Sequence, residues 1–267
     1  MPGVRAREIV NSRAAGRRLV TARVAFADFR RICPEVFSRV QSFSSLTVVE
    51  QGANLDVDYV IDCEEGRLVL KSVQEPSRKP FYLDFNRGAR TLRGVDLLGR
   101  AVGRGSRSVV DATAGFGGDS LHMARLGFRV LAIERCEPVA LLFADALARI
   151  DDVRLKCSIS LRYGDARDLL AGIDADTVYL DPMFDSGDRT RSLARRRMRI
   201  ARELAGPDVD AVSLLAIARA RFKRVVVKRP DKSPALAEGV HHSHRGKTVR
   251  YDVYMDPPLR RAGRETS

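Results

Sequence analysis

The 267 residues are enough for one large α/β domain with a smaller appendage, and 47 Lys and Arg against 34 Asp and Glu leave a formal net charge of +13. An excess of that size points to a polyanionic partner, with nucleic acid first. No apolar run approaches the roughly 18 residues that cross a membrane, no apolar leader follows Met1-Pro2-Gly3, and Cys33, Cys63, Cys136 and Cys157 show no Cys-x-x-Cys spacing. Neither a membrane span, a zinc knuckle nor a disulfide framework is therefore indicated, and reduced thiols in a cytoplasmic protein are expected.

Residues 1–45 alternate arginines with small apolar side chains, and 25–32 fits one short helix. From Leu46 the pattern changes to period two: 57–62 and 67–73, joined by Glu64-Glu65-Gly66, read as a β-hairpin. The run 81–85 fits a further strand, so 1–92 is expected to form a small mixed α+β domain. From Gly94 strand and helix patterns alternate, which argues for an α/β domain over 93–256 with a mainly parallel sheet covered on both faces. Val95, Leu98 and Val102 share one helical face. Strands are expected to end at Asp111, to run over 129–134, 156–163, 177–180 and 224–230, and to finish over 248–254, paired antiparallel at the end of the sheet. Helices fit 118–126, a stripe of Val139, Leu142, Phe143, Ala146, Leu147 and Ile150 behind Pro138, and a stripe from Leu214 to Phe222. The basic tail 257–267 is expected to be disordered.

The chemistry concentrates at strand ends. Val109-Val110-Asp111 runs into Ala112-Thr113-Ala114-Gly115-Phe116-Gly117-Gly118-Asp119, a strand, a Gly-rich turn and a helix start, the arrangement that lets backbone N–H groups approach a ligand. Carboxylates recur just past successive strands, Asp111, Glu134, Asp165 and Asp181, where open α/β sheets bind ligands. An acid at the second strand end can accept both ribose hydroxyls of a nucleoside cofactor, and one after the third can accept from an adenine amine; S-adenosylmethionine needs both. A dinucleotide dehydrogenase also places an acid about 20 residues after its glycines. Here, however, Gly115-x-Gly117 continues as Gly118-Asp119-Ser120 without completing Gly-x-x-Gly, and Asp181-Pro182-Met183-Phe184 has no part in hydride transfer.

That tetrapeptide resembles the Asp/Asn-Pro-Pro-aromatic motif of methyltransferases acting on exocyclic amines of bases. An aryl amine's lone pair is delocalised into its ring. Asp181 and a backbone carbonyl accepting its N–H bonds would localise it, with Pro182 shaping the turn and Phe184 stacking on the base, so acceleration comes from positioning and preorganised acceptors. Arg189, Arg191, Arg195, Arg196, Arg197, Arg199 and Arg202 follow directly, and Lys228, Arg229 and Lys232 follow another strand toward the same rim. Of these, Arg195, Arg196, Arg197, Lys228 and Arg229 are the candidate RNA-phosphate contacts. His241, His242 and His244 cluster without the carboxylate or cysteine spacing of a metal site, and no metal is expected.

Val109 to Gly117, Glu134-Arg135, the tetrapeptide with Tyr179-Leu180 before it, Val209-Asp210-Ala211, 224–231 and 250–254 together resemble the bacterial small-subunit ribosomal RNA guanine-N2 methyltransferases. The resemblance implies a class I, Rossmann-like methyltransferase domain with a mainly parallel seven-stranded sheet. It also implies S-adenosylmethionine as cofactor, and 16S rRNA or the small ribosomal subunit as partner. Carried over residue by residue, the cofactor contacts would be Gly118, Asp119, Glu134, Arg135, Asp165, Ala166 and Asp181, beside the cradle of Asp111, Gly115 and Gly117. Gly118 stands where the family often has arginine, and Asp165-Ala166 where it often has a serine pair or Asp-Ser. Two other readings remain: an amino methyltransferase acting on DNA or another RNA, and a basic RNA-binding assembly factor without turnover.

Overall fold

The computed structural model describes residues 24–27, 48–49, 57–87, 96–183 and 192–255, with no side-chain account for 26, 48, 49 and 192–195. Two sheets carry the fold. In the smaller, strand β1 (Val24–Ala27) pairs parallel with both β2 (Val48–Val49) and β3 (Tyr59–Glu64), and β3 turns back into β4 (Arg67–Ser72). The hairpin lies where the alternation placed it. Its two turn residues, Glu65 and Gly66, both take positive φ, 50° and 73°, the twist that two-residue hairpins require.

The expected helix over 25–32 is not formed where the chain is described. Val24, Ala25 and Ala27 are buried in a strand with a partner on each side, and this pairing overrides the local helical pattern. The run 81–85 also departs from expectation. Only Phe81 makes a bridge, exchanging both backbone hydrogen bonds with Leu70 at 2.7 and 2.9 Å, and the chain then leaves the sheet with Phe81, Leu83 and Phe85 buried. Cys63 is disulfide-bonded, against the expectation of reduced thiols, because the fold creates a pairing that sequence spacing does not announce.

The larger sheet has seven strands. In chain order they are β5 (Ser108–Asp111), β6 (Arg129–Glu134), β7 (Ile159–Tyr163), β8 (Thr177–Leu180), β9 (Val225–Pro230), β10 (His242–Arg245) and β11 (Val249–Tyr254). Across the sheet they run β7-β6-β5-β8-β9-β11-β10. The pairs β6–β7, β5–β6, β5–β8 and β8–β9 are parallel, and β11 alone runs against its neighbours. The antiparallel strand was expected at the end of the sheet, yet β10, carrying His242 and His244, lies outside it. A short polar edge strand has no apolar alternation to reveal it. Helix α1 (Leu97–Val102) precedes β5, with Leu98 and Val102 buried, while Val95 lies outside the described residues. Helices α2 (Gly118–Arg125) and α3 (Glu137–Ala148) follow β5 and β6. The expected third strand is divided, since Lys156 and Cys157 close helix α4 (Val153–Cys157) before β7 begins. Helix α5 (Ala166–Leu169) follows β7, and α6 (Ser192–Ala205) and α7 (Ala211–Arg221) lie between β8 and β9.

Alternation along the strands sorts the core into two faces. Val109, Val130, Tyr179, Val226, Tyr251 and Val253 share one buried cluster with α3 and with Tyr59, Ile61, Leu68 and Leu70 of the smaller sheet. Val110, Val178, Leu180, Val225 and Val227 pack with Leu214, Leu215 and Ala218 of α7 on the other face. Helix α3 is buried nearly all round because both sheets claim it. Asp145 of α3 accepts the Leu68 N–H at 3.1 Å, and Arg149 just beyond donates to the Leu83 carbonyl at 2.7 Å.

Candidate active site

The C-terminal ends of the parallel strands open into one cleft of about 210 Å³, and all four strand-end carboxylates, Asp111, Glu134, Asp165 and Asp181, line it. Its floor is the glycine turn. Gly115 and Gly117 adopt φ of 53° and 72°, and Gly117 N–H bonds back to the Ala114 carbonyl at 2.9 Å. A Cβ on Gly117 would lie 2.5 Å from the Phe143 ring, so only glycine fits there. Glu134 ties this turn to the end of β6: one carboxylate oxygen accepts from Gly115 N–H at 2.7 Å and the other from Cys136 N–H at 2.6 Å. Each oxygen keeps a further lone pair for a ligand hydroxyl. Burial pushes the Glu134 carboxyl up to about 7. Asp111, 1% exposed, is pushed to about 7 by the same cause and accepts from the Ser120 hydroxyl in the first turn of α2.

The centre of the cleft is a charged cluster. Lys228 Nζ donates to Asp119 and to Asp181, each at 2.8 Å, and the Tyr179 hydroxyl donates to Asp119 at 2.5 Å. Burial lifts Asp181 to about 6, with Lys228 pulling down and Asp119 adding to the rise. For Asp119 burial acts in the same direction, but the Lys228 charge outweighs it and holds the carboxyl low. Burial alone would depress the Lys228 ammonium, yet its two carboxylates hold it well above the usual lysine range.

Two further groups fix the strand-end loop that carries Asp181. The Asp181 N–H donates to Thr113 Oγ1 at 2.6 Å. Asp208 grips Met183 from both sides, accepting its N–H at 2.7 Å through a carboxylate oxygen and donating its own N–H to the Met183 carbonyl at 3.1 Å. The other Asp208 oxygen accepts from Arg135 at 2.5 Å, and Arg135 also reaches Asp210 at 2.7 Å. Asp165 caps α5 and pairs with Arg167, whose hydrogen bonds hold its carboxyl below the usual range.

Gly115, Gly118, Asp119, Arg135, Ala166 and Pro182 thus stand around the same cleft as the four acids, with Gly117 shaping its floor. Phe184 and the side chain of Arg195 lie outside the described residues. The basic residues expected on phosphates are divided differently. Lys228 points inward with Val226, and Arg229, one residue on, points to the opposite sheet face with Val227, where it is 7% exposed and donates to the Pro234 carbonyl at 3.1 Å. Lys228 thus faces the cleft and Arg229 the other face of the sheet, because consecutive strand residues face opposite sides. Arg196 donates to the Lys79 carbonyl, and Arg197 lines the cleft itself. The histidines flank and occupy the edge strand, with His241 Nδ1 2.8 Å from His242 Nδ1, and among the described residues no cluster of metal-ligating side chains is found. Tyr179 entered only as part of the resemblance, without a role, and Asp208 carried no motif of its own. The signal for Tyr179 is its position two residues before Asp181 on the same strand face, whereas nothing in the Gly206-Pro207-Asp208 turn identifies Asp208.

The profile of a family described as SAM-dependent methyltransferases, SAM being S-adenosylmethionine, matches residues 46–256. The ribosomal RNA small subunit methyltransferase J of Pseudoalteromonas atlantica is 36% identical over 245 residues, covering 83% of this chain and 95% of the relative. The protein of the same name from Dechloromonas aromatica is 38% identical, over 77% of this chain and 91% of its own length. Among solved structures, that of a SAM-dependent methyltransferase from Neisseria gonorrhoeae superposes with a TM-score of 0.68 at 30% identity, covering 87% of this chain and 95% of the other.

Proposed function

The chain belongs to the SAM-dependent methyltransferase family, and from that premise we propose that it methylates the exocyclic N2 amine of a guanine in 16S rRNA. The observation that carries the reading is Asp181: a carboxylate at the end of β8, fixed at its N–H by Thr113 and charge-paired to Lys228, that opens onto the cleft bounded by the glycine turn and Glu134.

The cradle fits the cofactor. Gly117 leaves no room for a side chain, and the Glu134 carboxylate, buried and already bonded to the turn, faces the cleft with unused lone pairs where a ribose diol would bind. Asp165 and Ala166 stand beyond it, on the side of an adenine ring. Bound there, SAM supplies an activated methyl group on a positively charged sulfur.

The protein's own work is then alignment and proton handling. Asp181 accepts an N–H of the incoming amine, which returns electron density to nitrogen, and it takes the proton that nitrogen loses as its new bond forms. Lys228 keeps Asp181 ionised for this purpose, opposing the effect of burial. Asp208 and Thr113 hold the loop still, so the amine meets a preorganised acceptor rather than one that must reorient. The choice of rRNA rests on the relatives' names and on the net charge of +13. That of an exocyclic base amine rests on the Asp-Pro-Met-Phe resemblance, and that of guanine N2 on the wider resemblance to the small-subunit rRNA guanine-N2 methyltransferases.

The test is labelled-methyl transfer from SAM to small ribosomal subunits, to naked 16S rRNA and to DNA, followed by nucleoside analysis. N2-methylguanosine in the rRNA is expected. Label in DNA, or in adenosine or cytidine, would favour the other amino methyltransferase reading, and no transfer would favour an assembly factor.

A further inference from the structure

We propose that Arg197 on helix α6 binds the α-carboxylate at the amino-acid end of the cofactor, closing the cleft from outside the sheet. The proposal rests on the cofactor reading above and assigns the one end of that ligand for which the strand-end acids offer no cation.

Arg197 belongs to a run of arginines, and a run on a helix ordinarily faces solvent. This side chain does not. Its Nη2 donates to the Phe116 carbonyl at 2.7 Å, its guanidinium carbon sits 5.6 Å from the centroid of the Phe116 ring, and it lines the cleft together with Asp119 and Asp181. A Cβ built on Gly118 would be 3.5 Å from Nη2, so a long side chain at 118 would run into the guanidinium, and glycine there leaves the space to Arg197.

Its charge is poorly compensated. The guanidinium bonds to a neutral carbonyl, and the carboxylate whose charge reaches it, Asp119, is already bonded to Lys228 and Tyr179. Arg199, two residues on, pairs instead with Glu75 and Glu203. Burial without a bonded carboxylate disfavours the charged guanidinium. A cation held at the mouth of a ligand cleft in that state is completed by an anion that arrives with the ligand.

The direction of the cofactor decides which anion. With its ribose on Glu134 and its base toward Asp165 and Ala166, its other end extends past the glycine turn toward Asp119 and Lys228. That end is zwitterionic. Lys228 is already shared between two carboxylates, which leaves the Arg197 fork to meet the carboxylate with its parallel N–H groups, while Asp119 lies on the side of the ammonium.

The experiment compares two ligands by calorimetry on the full chain. S-adenosylhomocysteine has the amino-acid end, and 5′-methylthioadenosine lacks it. Arg197→Met is expected to weaken S-adenosylhomocysteine binding about tenfold to hundredfold while methylthioadenosine binding stays within about twofold, and Arg197→Lys is expected to recover part of the loss. Equal weakening of both ligands would overturn the proposal and make Arg197 a shaping residue, and an unchanged S-adenosylhomocysteine affinity would overturn it outright. Reduced RNA affinity with intact S-adenosylhomocysteine binding would return Arg197 to the phosphate surface. If the unmodified protein binds neither ligand, the cofactor reading itself fails, a different outcome from any of these.

Discussion

Replacing Lys228 by methionine removes one charge and keeps the apolar stem, which isolates the ammonium's effect on Asp181. At 2.8 Å and an effective dielectric near 20, a pair of unit charges interacts by about 6 kcal/mol. Because 39% of the Asp181 side chain is open to the cleft, solvent screening leaves only a fraction of that. An upward shift of about one to three pH units in the acid limb is the range expected when a neighbouring opposite charge is removed. The sign follows from the groups that face Asp181: burial, Asp119 and Asp208 all favour its neutral form, and Lys228 opposes them. Asp181 titrates at about 6 in the unmodified protein and is mostly ionised at pH 7. In Lys228→Met the acid limb of the single-turnover rate should rise, so the rate at pH 7 falls by roughly twofold to hundredfold and recovers as the pH approaches 9. Lys228→Arg, which keeps the charge, should retain most of the pH 7 rate. An acid limb that stays near its original position in Lys228→Met would refute the argument that this lysine keeps the acceptor ionised.

Glu134→Gln should weaken S-adenosylhomocysteine binding by about 1–3 kcal/mol, the cost of a lost charged hydrogen-bond partner, as read by calorimetry. Gly117→Ala places a methyl 2.5 Å from the Phe143 ring at a φ of 72°, and a stability loss of about 1–3 kcal/mol or more is expected in denaturant melts. Asp208→Ala releases Met183, so kcat should fall by about ten- to hundredfold while the melting temperature changes little; an unaltered kcat would show that the loop needs no such clamp. Asp111 holds its proton up to about pH 7 in the folded state and releases it near 4 when unfolded. The folded state therefore binds the extra proton between those values, and this group's contribution to stability declines as pH rises through that window. Asp111→Asn abolishes the decline, so its stability relative to the unmodified protein should be higher at pH 8 than at pH 5 in paired thermal melts.

The strand ends were legible because each combines an apolar run with a carboxylate at its boundary. Asp111, Glu134 and Leu180-Asp181 lie where those patterns placed them. The hairpin was legible for a local reason as well, since Glu65-Gly66 supplies both positive φ angles. What escaped depends on tertiary placement. Of the stretch with a helical pattern, 25–27 instead forms strand beside β2 and β3, and the His242–Arg245 edge strand has no buried face to impose alternation. The basic residues around the site escaped for a related reason. Composition marks an arginine or lysine as a surface charge, but strand phase turns Lys228 into the cleft and Arg229 onto the opposite face. Asp208 acts through the backbone of a residue 25 positions away, a relation that no spacing rule encodes.

The claim that Asp181 acts on the amine in the transition state is tested by Asp181→Asn, with rate and cofactor binding measured on the same preparation. Single-turnover methyl transfer to small ribosomal subunits should fall by about 10²–10³-fold, the loss expected from removing one preorganised partner, while S-adenosylhomocysteine affinity changes only a few-fold and the melting temperature is retained. A near-normal rate in folded, cofactor-binding Asp181→Asn protein would contradict the claim.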